Sequence, residues 1–185
     1  MYDGETEEII LKSDSFKDYL LQRDIQLIGP VKFNYGKINY YTEHLQNKGA
    51  VEIIILKDLE QLSCYSELKN QLNPFGISNI HKVIGVKKMM EAWFLADDDT
   101  IRKILRIGAS TPFNSNHNPE TVNNPYEKIC ELLKQHSNSQ GQKFNKKKPT
   151  KTLLAKRFID NGFTIENASK HPNCPSAKYF IDYLG

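Results

Sequence analysis

Val51-Glu52-Ile53-Ile54-Ile55-Leu56-Lys57-Asp58-Leu59-Glu60 is the stretch that decides the architecture. It begins as the most apolar and β-branched run in the chain and ends on carboxylates spaced one residue apart. A run this short suits a strand covered on both faces, as at the centre of a parallel sheet. Asp58 and Glu60 then fall at the strand's carboxyl end, where ligands sit in open α/β sheets. Carboxylates at i and i+2 of an extended chain leave it on the same side, so both are expected to reach one hard cation.

Outward from this stretch the pattern alternates. Ile25 to Val31, closed by Gly29-Pro30, reads as a short strand. Tyr35 to Gln46 carries Ile38, Tyr41 and Leu45 at helical spacing, and Asn47-Lys48-Gly49 caps it. Leu62 to Leu72 is the next helix, broken by Asn73-Pro74-Phe75-Gly76, and His81 to Val86 reads as a strand. Strand, helix, strand, helix, strand argues for βαβ units and a parallel sheet. Nearer the start, Asp3-Gly4-Glu5-Thr6-Glu7-Glu8 opens a helical stripe that runs to about Arg23, with Thr6 as a cap. Polar Ser13-Asp14-Ser15 predicts a gap there or a division into short helices. The strand before Asp3 is expected to be very short, or shortened by loss of preceding residues.

The remainder is helical. Lys87 to Asp97 runs into a helix and holds the only Trp, and a second helix covers Asp99 to Leu105. Residues 106–124 read as a loop, Pro125 to Gln135 and Thr150 to Asp160 as helices, 137–149 as a mobile basic segment, and Tyr179 to Leu184 as a last short helix. The expected organisation is an α/β core over 1–105 with a helical extension, 106–185, packed on it as one unit.

Composition narrows the class. The 185 residues are 39% hydrophobic and 25% charged, with a net charge of +3, which permits nucleic-acid binding without demanding it. No apolar run is long enough to span a membrane and no secretory signal heads the chain, so no membrane partner is expected. Cys64, Cys130 and Cys174 form no CxxC pair, which disfavours zinc and disulfides and suits a reducing cytoplasm. The histidines, His44, His81, His117, His136 and His171, show no ligand spacing.

An acid beside glycine near the start, with an acid-x-acid pair after a later strand, is the layout of a Toprim domain. Asp3-Gly4-Glu5-Thr6-Glu7 resembles the EGxTE opening of Toprim-like proteins. Met90-Glu91-Ala92-Trp93-Phe94-Leu95-Ala96-Asp97 resembles the EAWFLAD signature of an uncharacterised Toprim-like family of bacterial and phage-related proteins. Asn173-Cys174-Pro175-Ser176-Ala177-Lys178 is similar to that family's Cys-Pro-Ser-basic segment. The resemblance covers nearly the full length as short islands, of which MEAWFLAD is the most specific. It implies a Toprim-like, Rossmann-like, mainly parallel sheet flanked by helices.

It also implies site residues. Asp3 matches the general acid/base or metal ligand, with aspartate standing where the motif has glutamate. Asp58 and Glu60 match the magnesium-binding pair. Glu7 matches a metal-serving glutamate of the related overcoming-lysogenization-defect nucleases, and Glu91 lies in the signature as a further candidate catalytic residue. The implied function is a Mg²⁺- or Mn²⁺-dependent nuclease or related phosphotransfer enzyme, associated with phage defence and with a partner protein from a defence operon. Its nucleic acid is left open between DNA and RNA. The alternative is a non-catalytic nucleic-acid-binding or partner-binding module, and a third reading is a small-nucleotide enzyme.

The chemistry asks for these residue types. Phosphodiester cleavage builds negative charge that carboxylate-held metal clamps, and lysines must offset the acids' repulsion of the substrate. Candidate phosphate contacts are Lys57, Lys87, Lys88, Lys178 and the run Lys143, Lys146, Lys147, Lys148 and Lys151. Plainer roles compete. Glu5 and Glu8 suit the first turn of a helix, Asp97 suits a helix cap, Trp93, Phe94 and Leu95 suit a core, and a lysine run suits a solvated loop. Glu91 is the oddity, because a carboxylate in apolar surroundings must find a metal, a proton or a cation.

Overall fold

In the computed structural model, Ile53–Asp58 is strand β1 and His81–Val86 is strand β2. They pair in parallel, with Ile53 opposite His81 and Asp58 opposite Val86. The structure describes residues 1–60, 62, 64–77, 79–108, 110–113, 118–139 and 149–185, with the last three residues of 118–139 described by backbone alone. The expected mobile segment 137–149, and the lysines Lys143, Lys146, Lys147 and Lys148 within it, lie largely outside the described residues, as does His117.

The chain forms two compact units, Met1–Lys87 and Lys88–Gly185. The sequence expectation drew its boundary after residue 105. The physical reason for the difference lies in Glu91–Ala96, every residue of which is buried. A helix buried all round needs neighbours on every side, and it takes them from the helices that follow it.

In the first unit, Tyr2 lies between β1 and residue 32, bridging Leu56 on one side and Lys32 on the other, both in parallel. Its N–H donates to the Val31 carbonyl, Phe33 N–H donates to the Tyr2 carbonyl, and Leu56 N–H donates to the Met1 carbonyl. The order across the sheet is therefore 31–33, 1–2, β1, β2. The expected strand at 25–31 is corrected: 25–30 has no regular structure, and the ladder contact falls at 31–33. The very short first strand is present as a bridge alone.

Helices α1 (Glu5–Lys12) and α2 (Asp14–Leu21) occupy the first helical stripe. They divide at Ser13, whose hydroxyl accepts from Phe16 N–H and caps α2. Gly4, not Thr6, is the cap residue of α1, and Thr6 is buried inside the first turn. A tight turn at Tyr35–Lys37 leads into α3 (Ile38–Asn47), and α4 (Tyr65–Leu72) ends in the turn Asn73–Phe75. The core of this unit gathers Ile53, Ile55 and Val83 with Ile38, Leu45, Leu68 and Leu72.

The second unit is all helical among its described residues. It comprises α5 (Glu91–Ala96), α6 (Asp98–Leu105), α7 (Pro125–Ser139), α8 (Lys151–Asp160), α9 (Ile165–Ser169) and α10 (Pro175–Leu184). Asp97 caps α6: its carboxylate accepts from Thr100 N–H at 3.0 Å and from the Thr100 hydroxyl at 2.8 Å. Burial still pushes the Asp97 carboxyl up, against the lowering effect of those bonds. Phe94 stacks on Phe158 at 4.4 Å and meets Phe163 edge-on at 4.7 Å. Trp93 stacks on Phe180 at 5.7 Å and donates its indole N–H to Ser176 Oγ at 2.8 Å. The Glu91–Asp97 and Cys174–Lys178 segments, far apart in sequence, thus share one core. The cap at Asp97 and the packing of Trp93, Phe94 and Leu95 are the plain structural roles.

Candidate active site

Parallel pairing sets what stands at the carboxyl end of the sheet. With Tyr2 opposite Leu56, the next residues, Asp3 and Lys57, come side by side. Lys57 Nζ donates to Asp3 Oδ2 at 2.5 Å, with the lysine side chain 14% exposed and the aspartate 33%. Desolvation lowers the Lys57 amine, but the hydrogen bond and charge of Asp3 outweigh it and hold the group above its ordinary value. This pairing gives Lys57 a second role beside its expected contact to phosphate.

The sign of the resulting pH dependence is definite. The folded value lies above the unfolded one, so the contribution is fully present below the unfolded lysine value of 10.5 and lost as pH rises through the folded value. We expect the urea-midpoint difference between the native chain and Lys57→Met to shrink between pH 9 and pH 12, which paired denaturation curves measure. A difference that stays constant or grows would show that Asp3 does not stabilise the charged amine.

Gly4 and Glu7 form the second pairing. Glu7 is buried, and its Oε2 stands 2.7 Å from where a Cβ on Gly4 would lie. The backbone of Gly4 is in an ordinary extended conformation, so a larger residue there would have to displace only the Glu7 carboxylate. Glu7 is the third residue of α1, and its carboxylate folds back over the cap residue Gly4. The spacing from Gly4 to Glu7 therefore has a local structural reason.

Asp58 is the last residue of β1 and is half-buried. Side chains alternate along the strand, so it leaves on the face opposite Lys57. The ladder continues one residue further, with Leu59 N–H donating to the Val86 carbonyl at 2.8 Å. Glu60 is exposed and has φ +48°, in the left-handed region. The expectation that Asp58 and Glu60 leave one strand on one side is corrected: the extended backbone ends before Glu60, and the i, i+2 rule ends with it. Non-glycine residues held at positive φ collect where a fold builds functional loops.

Asp3 and Lys57 are thus brought together, as are Gly4 and Glu7. Among the described residues, no group of three or more His, Cys, Asp or Glu side chains stands ready to hold a metal ion. Lys87 is exposed, and Lys178 pairs with Asp182 on its own helix at 2.6 Å. Lys88 holds φ +67° in the loop after β2.

Glu91 lies in the second unit and is 1% exposed. Its Oε1 is 3.6 Å from Lys151 Nζ. The buried carboxylate has therefore found a cation. The loop expected at 106–124 contains a residue that sequence reasoning passed over. Glu120, at the turn Pro119–Thr121, is 1% exposed, and its Oε1 accepts from Ser176 N–H at 2.7 Å at the start of α10. Its other oxygen has no hydrogen-bond partner among the described residues. Burial, and then Glu120, push the neighbouring Cys174 thiol up, keeping it protonated at neutral pH. No local pattern marks Glu120, because its partner is a backbone group far along the chain. Compared with protein-family models, curated proteins and solved structures, the chain matches none.

Proposed function

We propose that the carboxyl end of the sheet in Met1–Lys87 is a divalent-metal-dependent site for cleavage or transfer at nucleic-acid phosphodiesters. The observation that carries this reading is where Asp3 and Asp58 lie. They end neighbouring parallel segments on either side of the point where the strand order reverses, since the chain goes from 1–2 to 31–33 on one flank and then to β1 on the other. Open α/β sheets bind ligands at that reversal.

The donor set fits a hard cation in kind, being carboxylate oxygen throughout. Magnesium is commonly held by one or two carboxylates, with water and substrate phosphate completing its shell. Asp3, on the Lys57 face, and Asp58, on the other, would hold it only by reaching round the end of the sheet past the last ladder residues, with Glu7 and Glu60 as further oxygen donors. When bound, such an ion supplies charge stabilisation on the phosphate and activates water. The chain's own residues do the positioning. Lys57 orients Asp3, Gly4 leaves room for the Glu7 carboxylate, and the ladder bond from Leu59 to Val86 fixes the backbone beside Asp58. A role in phage defence and a partner protein from a defence operon rest on the Toprim-like resemblance and not on geometry.

A second reading has its own support. The Asp3 carboxylate is already engaged by Lys57, as it would be in a nucleic-acid-binding or partner-binding module without catalysis. Calorimetric titration with Mg²⁺ or Mn²⁺, alongside cleavage of labelled oligonucleotides, separates the two. We expect metal binding and a cleavage activity that EDTA abolishes and Mg²⁺ restores. A folded chain that takes up no metal, even with nucleic acid present, would support the binding module.

A further inference from the structure

Lys32-Phe33-Asn34-Tyr35-Gly36-Lys37 interleaves cations and rings immediately after the sheet contact at 31–33. Phe33 is anchored in the core. Tyr35 stands edge-on to Phe33, centroids 4.9 Å apart, and Phe75 tilts against Tyr35 at 4.8 Å. The rings thus form a ladder from the core outward, and its outer member, Phe75, is 41% exposed. The Asn34 side chain accepts from Gly36 N–H at 3.0 Å and fixes the turn that carries Tyr35. Lys57 Nζ lies 5.7 Å from the Phe33 centroid and 5.4 Å from that of Tyr35. Lys32 and Lys37, on either side of the rings in sequence, are exposed.

Packing explains Phe33 and the inner edge of Tyr35. It leaves the Phe75 ring 41% exposed at the outer end of a ladder whose inner rings lie beside Lys57. Rings backed by cations are what a flexible, single-stranded nucleic acid requires: unpaired bases stack on aromatic faces while the backbone follows positive charge. A duplex keeps its base faces within its own stack, apart from the outer faces of its two terminal pairs.

We propose that Phe75 and Tyr35 form a base-stacking subsite, and that the polymer taken by the neighbouring carboxylate site is single-stranded. This deepens the phosphodiester reading and rests on it for the chemistry, but binding at the subsite does not need the metal. Lys32 and Lys37 contact the strand's phosphates.

The test is fluorescence anisotropy of a labelled oligothymidylate with the full chain in EDTA, so that no cleavage intervenes. Phe75→Ala is expected to weaken binding roughly 5- to 150-fold, the range for losing one stacked base. Phe75→Trp is expected to retain it. Lys32→Gln with Lys37→Gln is expected to flatten the dependence of log affinity on log salt by roughly 0.7 per lost contact. An abasic strand and a blunt duplex of equal length are expected to bind more weakly than oligothymidylate. Phe75 packs on Tyr35, so the urea midpoint of each variant is measured alongside and affinities are compared under conditions where every variant is folded.

Unchanged affinity in Phe75→Ala, or equal affinity for the abasic strand or the duplex, overturns the subsite. Thymidine monophosphate competing at the same concentration as the oligonucleotide overturns the assignment of a polymer. Cleavage with Mg²⁺ is scored separately. Its absence from a chain that shows the stacking signature refutes the catalytic reading and leaves the subsite standing.

Discussion

Asp58→Ala is expected to reduce metal-dependent phosphodiester cleavage by more than ~10²-fold while leaving the fold in place. The magnitude follows from comparison: losing even a group that only supports a ligand typically costs about 10- to 100-fold in affinity or activity, and a direct ligand costs more. The fold should survive because β1 is held by its ladder and by Ile53, Ile55 and Leu56, all buried, while Asp58 is a half-buried terminal residue. Cleavage is measured at saturating Mg²⁺ on protein whose urea midpoint matches the native chain. Glu60→Ala should cost less, since Glu60 is exposed and its backbone has already left the strand. Full activity in Asp58→Ala would remove the residue from the site. A loss that excess metal rescues would identify it as a ligand whose main effect is on affinity.

Phe94→Ala should produce the largest loss of stability in the second unit. The ring is wholly buried, stacked on Phe158 and edge-on to Phe163. Truncating a buried phenylalanine costs about 3–5 kcal/mol, because the transfer term and the cavity term add. The lost aromatic geometry is part of that, worth roughly 0.5–1.5 kcal/mol for each ring pair. Against a typical stability of about 5–15 kcal/mol, this removes a large share of what holds Lys88–Gly185 together. Urea denaturation followed by Trp93 fluorescence reports on this core directly, since Trp93 is the only tryptophan and is buried within it. A loss below about 1 kcal/mol would mean that the ring is not the keystone its contacts suggest. Phe94→Leu, which keeps most of the volume, should recover much of the difference.

The two variants address different links. Asp58 is a claim about chemistry at the end of a sheet, and Phe94 a claim about packing. The signature segment Glu91–Asp97 attracts attention in the sequence through its density of large apolar residues. Its described roles are structural ones: Trp93 to Ser176, Phe94 to Phe158 and Phe163, Asp97 to Thr100. Glu91 differs, as a buried carboxylate within reach of Lys151.

Most local signals were legible, although the cap of α1 was read at Thr6 and lies at Gly4. The apolar run around Ile55 became a strand because so short a β-branched run is stable only when buried. His81 to Val86 became β2 for the same reason. The break at Ser13 and the cap at Asp97 were readable because a side chain bonding its own backbone three residues on needs no distant partner. The strand at 25–31 was misplaced because its few apolar residues are punctuated by Gly29 and Pro30, and only pairing with Tyr2 decides which residues join the sheet.

By itself, then, the sequence determined that parallel strands alternate with helices, that Asp58 closes a buried strand, and that Trp93 and Phe94 enter a core. Periodicity, branching and capping act within a few residues and leave their mark in the order of the chain. Only the tertiary structure decided that Lys57 answers Asp3, that Glu60 leaves the strand by a left-handed turn, that Glu120 receives the start of α10, and that one unit ends at Lys87. Each depends on register or on contact between distant segments. Such contacts are selected by the summed burial of the whole unit, and no window of sequence around Val51 to Glu60 contains them.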